Sequence, residues 1–131
     1  MPIQHRKSDY LERMIAEAFA ALKRLVGAGG PSDLPSYEAQ LNFLLSEFKL
    51  DFKTFEEMPL QQLSQFLEIS DASDQLLELI ADSLKFKATA TNNPELATRA
   101  NWLYQHILQH PKSQTISYSL LMKKDQLPPQ Q

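Results

Sequence analysis

The chain has 131 residues, 43% of them hydrophobic and 22% charged, with a net charge of −3. That balance is too apolar for general disorder and too interrupted by charge for a membrane protein, and the length suits a single domain. No run nears the ~18 to 20 consecutive apolar residues of a membrane span, and Glu12, Arg13 and Glu17 break up the first apolar segment, so neither a span nor a signal peptide is expected.

The sequence has no cysteine, which excludes disulfides, thiolate metal sites and thiol nucleophiles together. Stability must come from packing, in keeping with a reducing cytoplasm. Charge is unevenly spread: residues 1–30 hold five basic against three acidic side chains, residues 31–84 two against eleven, and residues 85–131 six against two. Basic ends and an acidic middle fit segments that neighbour one another in the fold, the alternative being that the middle is the docking face for a basic partner. They do not supply the concentrated basic surface that nucleic acid requires, so no nucleic-acid partner is expected.

In chain order, residues 1–7 (MPIQHRK) lack apolar periodicity and read as a loose tail. Ser8 and Asp9 can cap a first helix, with Asp9 and Glu12 at capping-box spacing. Leu11, Ile15, Ala18, Leu22 and Leu25 then recur at steps of three and four and form its buried stripe. Gly27, Gly29, Gly30 and Pro31 are expected to stop it. A second helix is expected from Ser36, with Tyr37, Leu41, Leu44, Leu45 and Phe48 on one face and an end before Asp51. Residues 51–58 read as a short helical turn with Phe52 and Phe55 inward. Pro59 then opens the next helix at its first position, where the missing amide hydrogen costs nothing, and Leu60, Leu63, Phe66 and Leu67 form the buried face.

The polar run 70–75 (SDASDQ) starts a helix carrying Leu76, Leu77, Ile80, Ala81, Leu84 and Ala88, which extends to about Ala90. Asn93 and Pro94 read as the cap and first residue of the next, with Leu96, Ala97, Ala100, Leu103, Tyr104 and Ile107 on its inner face. The two form a helical hairpin. After Pro111, the apolar residues Ile116, Tyr118, Leu120 and Met122 alternate as a strand's would, yet no other segment offers a strand partner, so helix is preferred. The expected architecture is all-α: a bundle of five or six helices in one domain over residues 8–124, followed by a loose end at 125–131.

The segments DYLERMI, LPSYEAQLNFLL and MPLQQLSQFL, followed by the hairpin from Asp74 to Pro111, resemble a family of small bacterial helical proteins of unknown function related in appearance to tetratricopeptide-repeat domains. The likeness covers about residues 8–124 and is strongest in PELATRANWLYQHILQHP, which looks like the second helix of such a repeat with its closing proline. It implies a helical fold and no catalytic residues. The usual glycine is missing from LLELIADSLKFKA and no second copy follows at the ~34-residue period, so a regular superhelical array is not expected.

Catalytic and metal motifs are not found. His106 and His110 lie four apart on one helix face, but no Glu-x-x-His or HExxH pattern accompanies them, and residues near a helix carboxyl end favoured by the dipole are the simpler account. Gly27 to Gly30 follow a helix rather than a strand and read as a linker, not a phosphate loop. The pairs Glu56 with Glu57 and Asp71 with Asp74 lack the context of an acid–base pair or a calcium loop.

Trp102 falls one position off the inner stripe of its helix. It is either core in a helix covered on both sides or, with Arg99 and His106 nearby, the centre of a docking patch. The function expected is a noncatalytic protein-interaction or scaffold module that binds a protein partner or a second copy of itself as a homodimer, without cofactor or metal, in the cytoplasm. The alternative is a small-ligand-binding or regulatory domain with Phe52, Phe55, Phe66 and Tyr104 lining a pocket between helices.

Overall fold

The structure, a computed structural model, describes residues 2–28 and 33–112. Among them are six helices and no strand: α1 (Pro2–Ala28), α2 (Leu34–Ser46), α3 (Phe52–Glu57), α4 (Leu60–Glu68), α5 (Asp74–Ala90) and α6 (Pro94–Gln109). The all-α class expected from apolar periodicity is the class observed. No described helix is long and apolar enough to cross a membrane. The helix expected after Pro111 and the loose end at 125–131 lie outside the described residues.

Chain contacts separate into two compact units, Met1–Phe52 and Lys53–Gln131, where the sequence reading expects one domain over 8–124. In the first, α1 packs on α2. Ile15, Ala18, Leu22 and Leu25 of α1 are buried, as are Leu34, Tyr37, Leu41, Leu44 and Leu45 of α2. Boundaries differ from expectation in both helices, and α2 stops at Ser46, leaving Phe48 outside it and half-buried where it was expected on the helix's buried face. Residues 2–7 are the start of α1 and not a loose tail, because Pro2 suits the first position of a helix and the residues after it carry no breaker. Gly27 lies within α1 and does not stop it, since glycine in a helix weakens it without ending it. Finally, α2 opens at Leu34, ahead of Ser36, with Pro35 tolerated in the first turn.

The end of α2 is a Schellman closure: the Leu50 amide donates to the Leu45 carbonyl at 3.0 Å and the Lys49 amide to the Ser46 carbonyl at 3.1 Å. The residue in the left-handed conformation is Lys49, at φ 60°. The Asn42 side-chain oxygen then accepts from the Phe52 amide at 2.8 Å, satisfying the first orphan donor of α3.

In the second unit α5 and α6 form the expected hairpin. Ser73 caps α5, its hydroxyl accepting from the Leu76 amide at 3.1 Å, and Asp74 sits in the first turn, where the helix dipole favours an acid. The reversal into α6 is a second Schellman closure. Asn93 donates to the Ala88 carbonyl at 2.8 Å and Asn92, at φ 54°, to the Thr89 carbonyl at 3.3 Å. The Asn93 side chain in turn caps α6 by accepting from Glu95 at 3.1 Å.

All six residues of the expected α5 face are buried, and Glu78, Leu79 and Ser83 are buried as well, so α5 is covered on most of its circumference. The inner face of α6 is as expected except that Ala97 is half-buried. Phe52 and Phe55 are fully inward. In α4, Leu63 and Leu67 are buried while Leu60 and Phe66 are half-buried. Pro59 precedes that helix as its cap, at φ −54° and ψ 138°, its carbonyl accepting from Leu63 at 2.8 Å.

Asparagine tolerates the left-handed conformation that Lys49 adopts at a cost. Lys49→Gly is therefore expected to raise the unfolding free energy by about 1 kcal/mol. Asn92→Gly should change it by less, both read from urea-unfolding midpoints; a destabilised Lys49→Gly would contradict the assignment.

Candidate functional site

Successive turns of α6 bring Trp102, His106 and His110 to one edge of the helix. The Trp102 indole stacks on the His106 imidazole, with centroids 5.2 Å apart and planes 22° apart, and the His110 ring follows at 5.0 Å, tilted by 41°. Trp102 and His106 are half-buried and His110 is exposed. Trp102 is thus neither sealed in the core nor free in solvent. In a helix each residue is rotated ~100° from the last, so Trp102 stands beside the buried Leu103 at the border of the inner face.

Arg99 does not join this edge. Only 9% exposed, it turns into the second unit and donates from one terminal nitrogen to the Phe55 carbonyl at 3.2 Å and the Met58 carbonyl at 2.7 Å. Its Nε lies 3.6 Å from the Glu95 carboxylate and, among the described residues, makes no hydrogen bond. Of the docking trio expected from sequence, Trp102 and His106 meet, whereas Arg99 serves the end of α3. A helix leaves its last carbonyls unsatisfied and carries partial negative charge there, and a guanidinium meets both needs. The position of Arg99 midway between Leu96 and Leu103 on the apolar stripe is the sequence signal for this inward course.

A second cation reaches α3 from α5, where Lys87 pairs with Glu56 at 2.8 Å. Glu56 therefore faces an ammonium group, while its neighbour Glu57 is exposed. Of the other acidic pair, Asp74 accepts the Lys112 amide on both carboxylate oxygens, at 3.1 and 3.0 Å, and Asp71 is exposed. Lys112 also donates from Nζ to the Ser70 carbonyl at 2.6 Å and the Ala72 carbonyl at 2.8 Å. This one residue ties the exit of α6 to the connection between α4 and α5.

Between α5 and α6, the buried Tyr104 hydroxyl donates to the Asp82 carboxylate. Burial pushes this phenol well above its ordinary range, and the Asp82 charge and hydrogen bond and the Glu78 charge add to that, so Tyr104 is a protonated donor with no role as a base. Of the aromatics considered for a pocket, Phe52, Phe55 and Tyr104 are packed in the interior and Phe66 is half-buried.

His106 is held below the usual histidine range. Burial is the main cause, the positive charge that His110 can carry comes next, and Lys112 adds to both, while Glu68 and Asp74 work in the opposite direction. Among the described residues no three His, Asp or Glu side chains gather to hold a metal ion. Comparisons of the chain with protein-family models, curated proteins and solved structures found no match.

If Arg99 is structural, Arg99→Met should cost about 2–3 kcal/mol in urea unfolding, the scale of hydrogen bonds from a charged donor. Arg99→Lys, which keeps the charge and loses the fork, should fall between; a wild-type midpoint for Arg99→Met would refute the role.

The lowered affinity of His106 for a proton also fixes a pH dependence. The unfolded chain binds that proton more tightly, so stability is unaffected above about pH 6.5, declines as pH falls through that value towards the lower folded one, and then levels off. His106→Gln should remove this part of the decline, seen as the difference between wild-type and variant unfolding midpoints against pH; a difference constant with pH would count against it.

Proposed function

We propose that the chain is a noncatalytic protein-interaction module whose α5–α6 hairpin, similar to a tetratricopeptide-like helix pair, presents the α6 edge to a protein partner or to a second copy of the chain. The observation that carries this reading is the Trp102 indole, which lies against His106 and is only half-buried on a helix whose Leu96, Leu103, Tyr104 and Ile107 are all inward. Tryptophan is the residue type most enriched at the energetic centres of interfaces, since it supplies a large rigid surface together with a polar N–H. Ile69, 84% exposed at the end of α4, is a further exposed apolar side chain of the same unit. The polar groups inside the unit support the same reading: Arg99, Tyr104, Lys87 and Glu56 are engaged with one another's helices and are not gathered as reacting groups around an opening. A bacterial setting is part of this proposal and rests on the family resemblance of the helix order, and a cytoplasmic one rests on a sequence without cysteine.

Sedimentation velocity over a concentration series, together with affinity capture from a bacterial extract, tests the reading. Trp102→Ala should weaken self-association or partner binding at least ~30-fold, as expected for a central interface residue, while its unfolding midpoint shows that it still folds. A monomer at all concentrations, with no protein enriched over the Trp102→Ala control, would sink the proposal.

A further inference from the structure

The exit of α6 brings a ring stack and a lysine clip together. The last helical hydrogen bond runs from the His110 amide to the His106 carbonyl at 2.9 Å. The His106 ring lies in the stack between Trp102 and His110, and Lys112, at the following bend, holds Ser70, Ala72 and Asp74 through its ammonium and its amide. We propose that the last turn of α6 is an acid-sensitive latch, in which protonation of His106 loosens the turn and unfastens Lys112 from the start of α5.

The charged groups facing His106 come from each element around it: His110 and Lys112 from the exit of α6, Glu68 from the end of α4 and Asp74 from the start of α5. The two carboxylates draw a proton to the ring. Its partial burial and the two cations oppose the proton, and their opposition prevails. By linkage, a proton that binds the closed arrangement poorly must favour any arrangement in which the ring is hydrated. The least disruptive of these is fraying beyond the buried Ile107 and the half-buried Leu108 of the final turn, where Gln109, His110, Pro111 and Lys112 are all exposed and the departing His110 ring leaves one face of His106 to water. Protonation also places a positive charge within one turn of His110 and close to Lys112, so the charged ring and the clip disfavour each other. The latch does not depend on whether a partner docks on the same edge.

Trp102 is the chain's one tryptophan, so its emission reports the charge and the position of the His106 ring that lies on it. The test follows Trp102 emission and the Lys112 backbone amide resonance of the full chain by NMR from pH about 7.5 to about 5, which spans the ordinary histidine range. Both signals are expected to move with one shared midpoint below the ordinary histidine value of about 6.5. In His106→Gln the emission titration should vanish and Lys112 should stay fastened over the same range. His110→Gln, which removes an opposing cation from an exposed position and leaves the fold intact, should raise the shared midpoint. An emission titration with a stationary Lys112 amide would overturn the latch, because the ring would then charge without opening anything. An unchanged Lys112 response in His106→Gln, or an unmoved midpoint in His110→Gln, would overturn it too.

Discussion

A charge taken out of water has to be met by hydrogen bonds, and in the second unit that requirement falls on Arg99. Its guanidinium is buried and turned onto the Phe55 and Met58 carbonyls. A six-residue helix such as α3 has little stability of its own, because the cost of nucleation is spread over too few hydrogen bonds. It is held by the buried Phe55, by the ion pair of Glu56 with Lys87 and by the guanidinium on its last carbonyls. Turning Arg99 inward also sets the rotation of α6 about its axis. With Leu96, Arg99, Ala100 and Leu103 facing the interior, Trp102 and His106 fall on the border, and the candidate surface follows from the way α3 is held.

The same logic recurs at lower stakes where α4 gives way to α5. There the carbonyls of Ser70 and Ala72 receive the Lys112 ammonium, and Asp74, at the positive end of α5, receives the Lys112 amide. The Arg99 contacts are buried, so their loss leaves desolvated carbonyls. The Lys112 contacts are exposed at Asp74 and Ser70 and part-buried only at Ala72, so water can replace most of them at small cost. One end of the unit is therefore firmly closed and the other only lightly, and His106 stands next to the light one.

Hydrogen bonds between near neighbours in sequence were legible in advance. The cap at Asn93, the helix start in the run 70–75, the hairpin that follows, the inward Phe52 and Phe55 and most of the leucine stripes follow from spacings of a few residues, and the structure has them where expected, with Leu11 and Leu60 only half-buried. Breakers were harder to weigh. Gly27 and Pro35 weaken a helix or restrict its start without forbidding it, and the neighbouring residues carry α1 past Gly27 and open α2 ahead of Pro35. The Schellman closure at Lys49 was hidden because its usual mark, a glycine, is absent.

At the candidate site, Trp102 and His106 could be picked out as residues of one helix face. Arg99 was placed among them because helical spacing reports which residues are neighbours and not which way a long side chain runs. Its partners lie 44 and 41 residues away, and those of Lys112 lie 38 to 42 away. By itself, then, the sequence determined that the chain is helical, where most of its helices start and stop, and which stripe of each turns inward, since these rest on interactions within one or two helical turns. Only the tertiary structure decided that Arg99 caps α3, that Tyr104 binds Asp82, that Lys112 clips α5 and that Trp102 stays half-open, because each depends on segments brought together through space, about which local spacing carries no information.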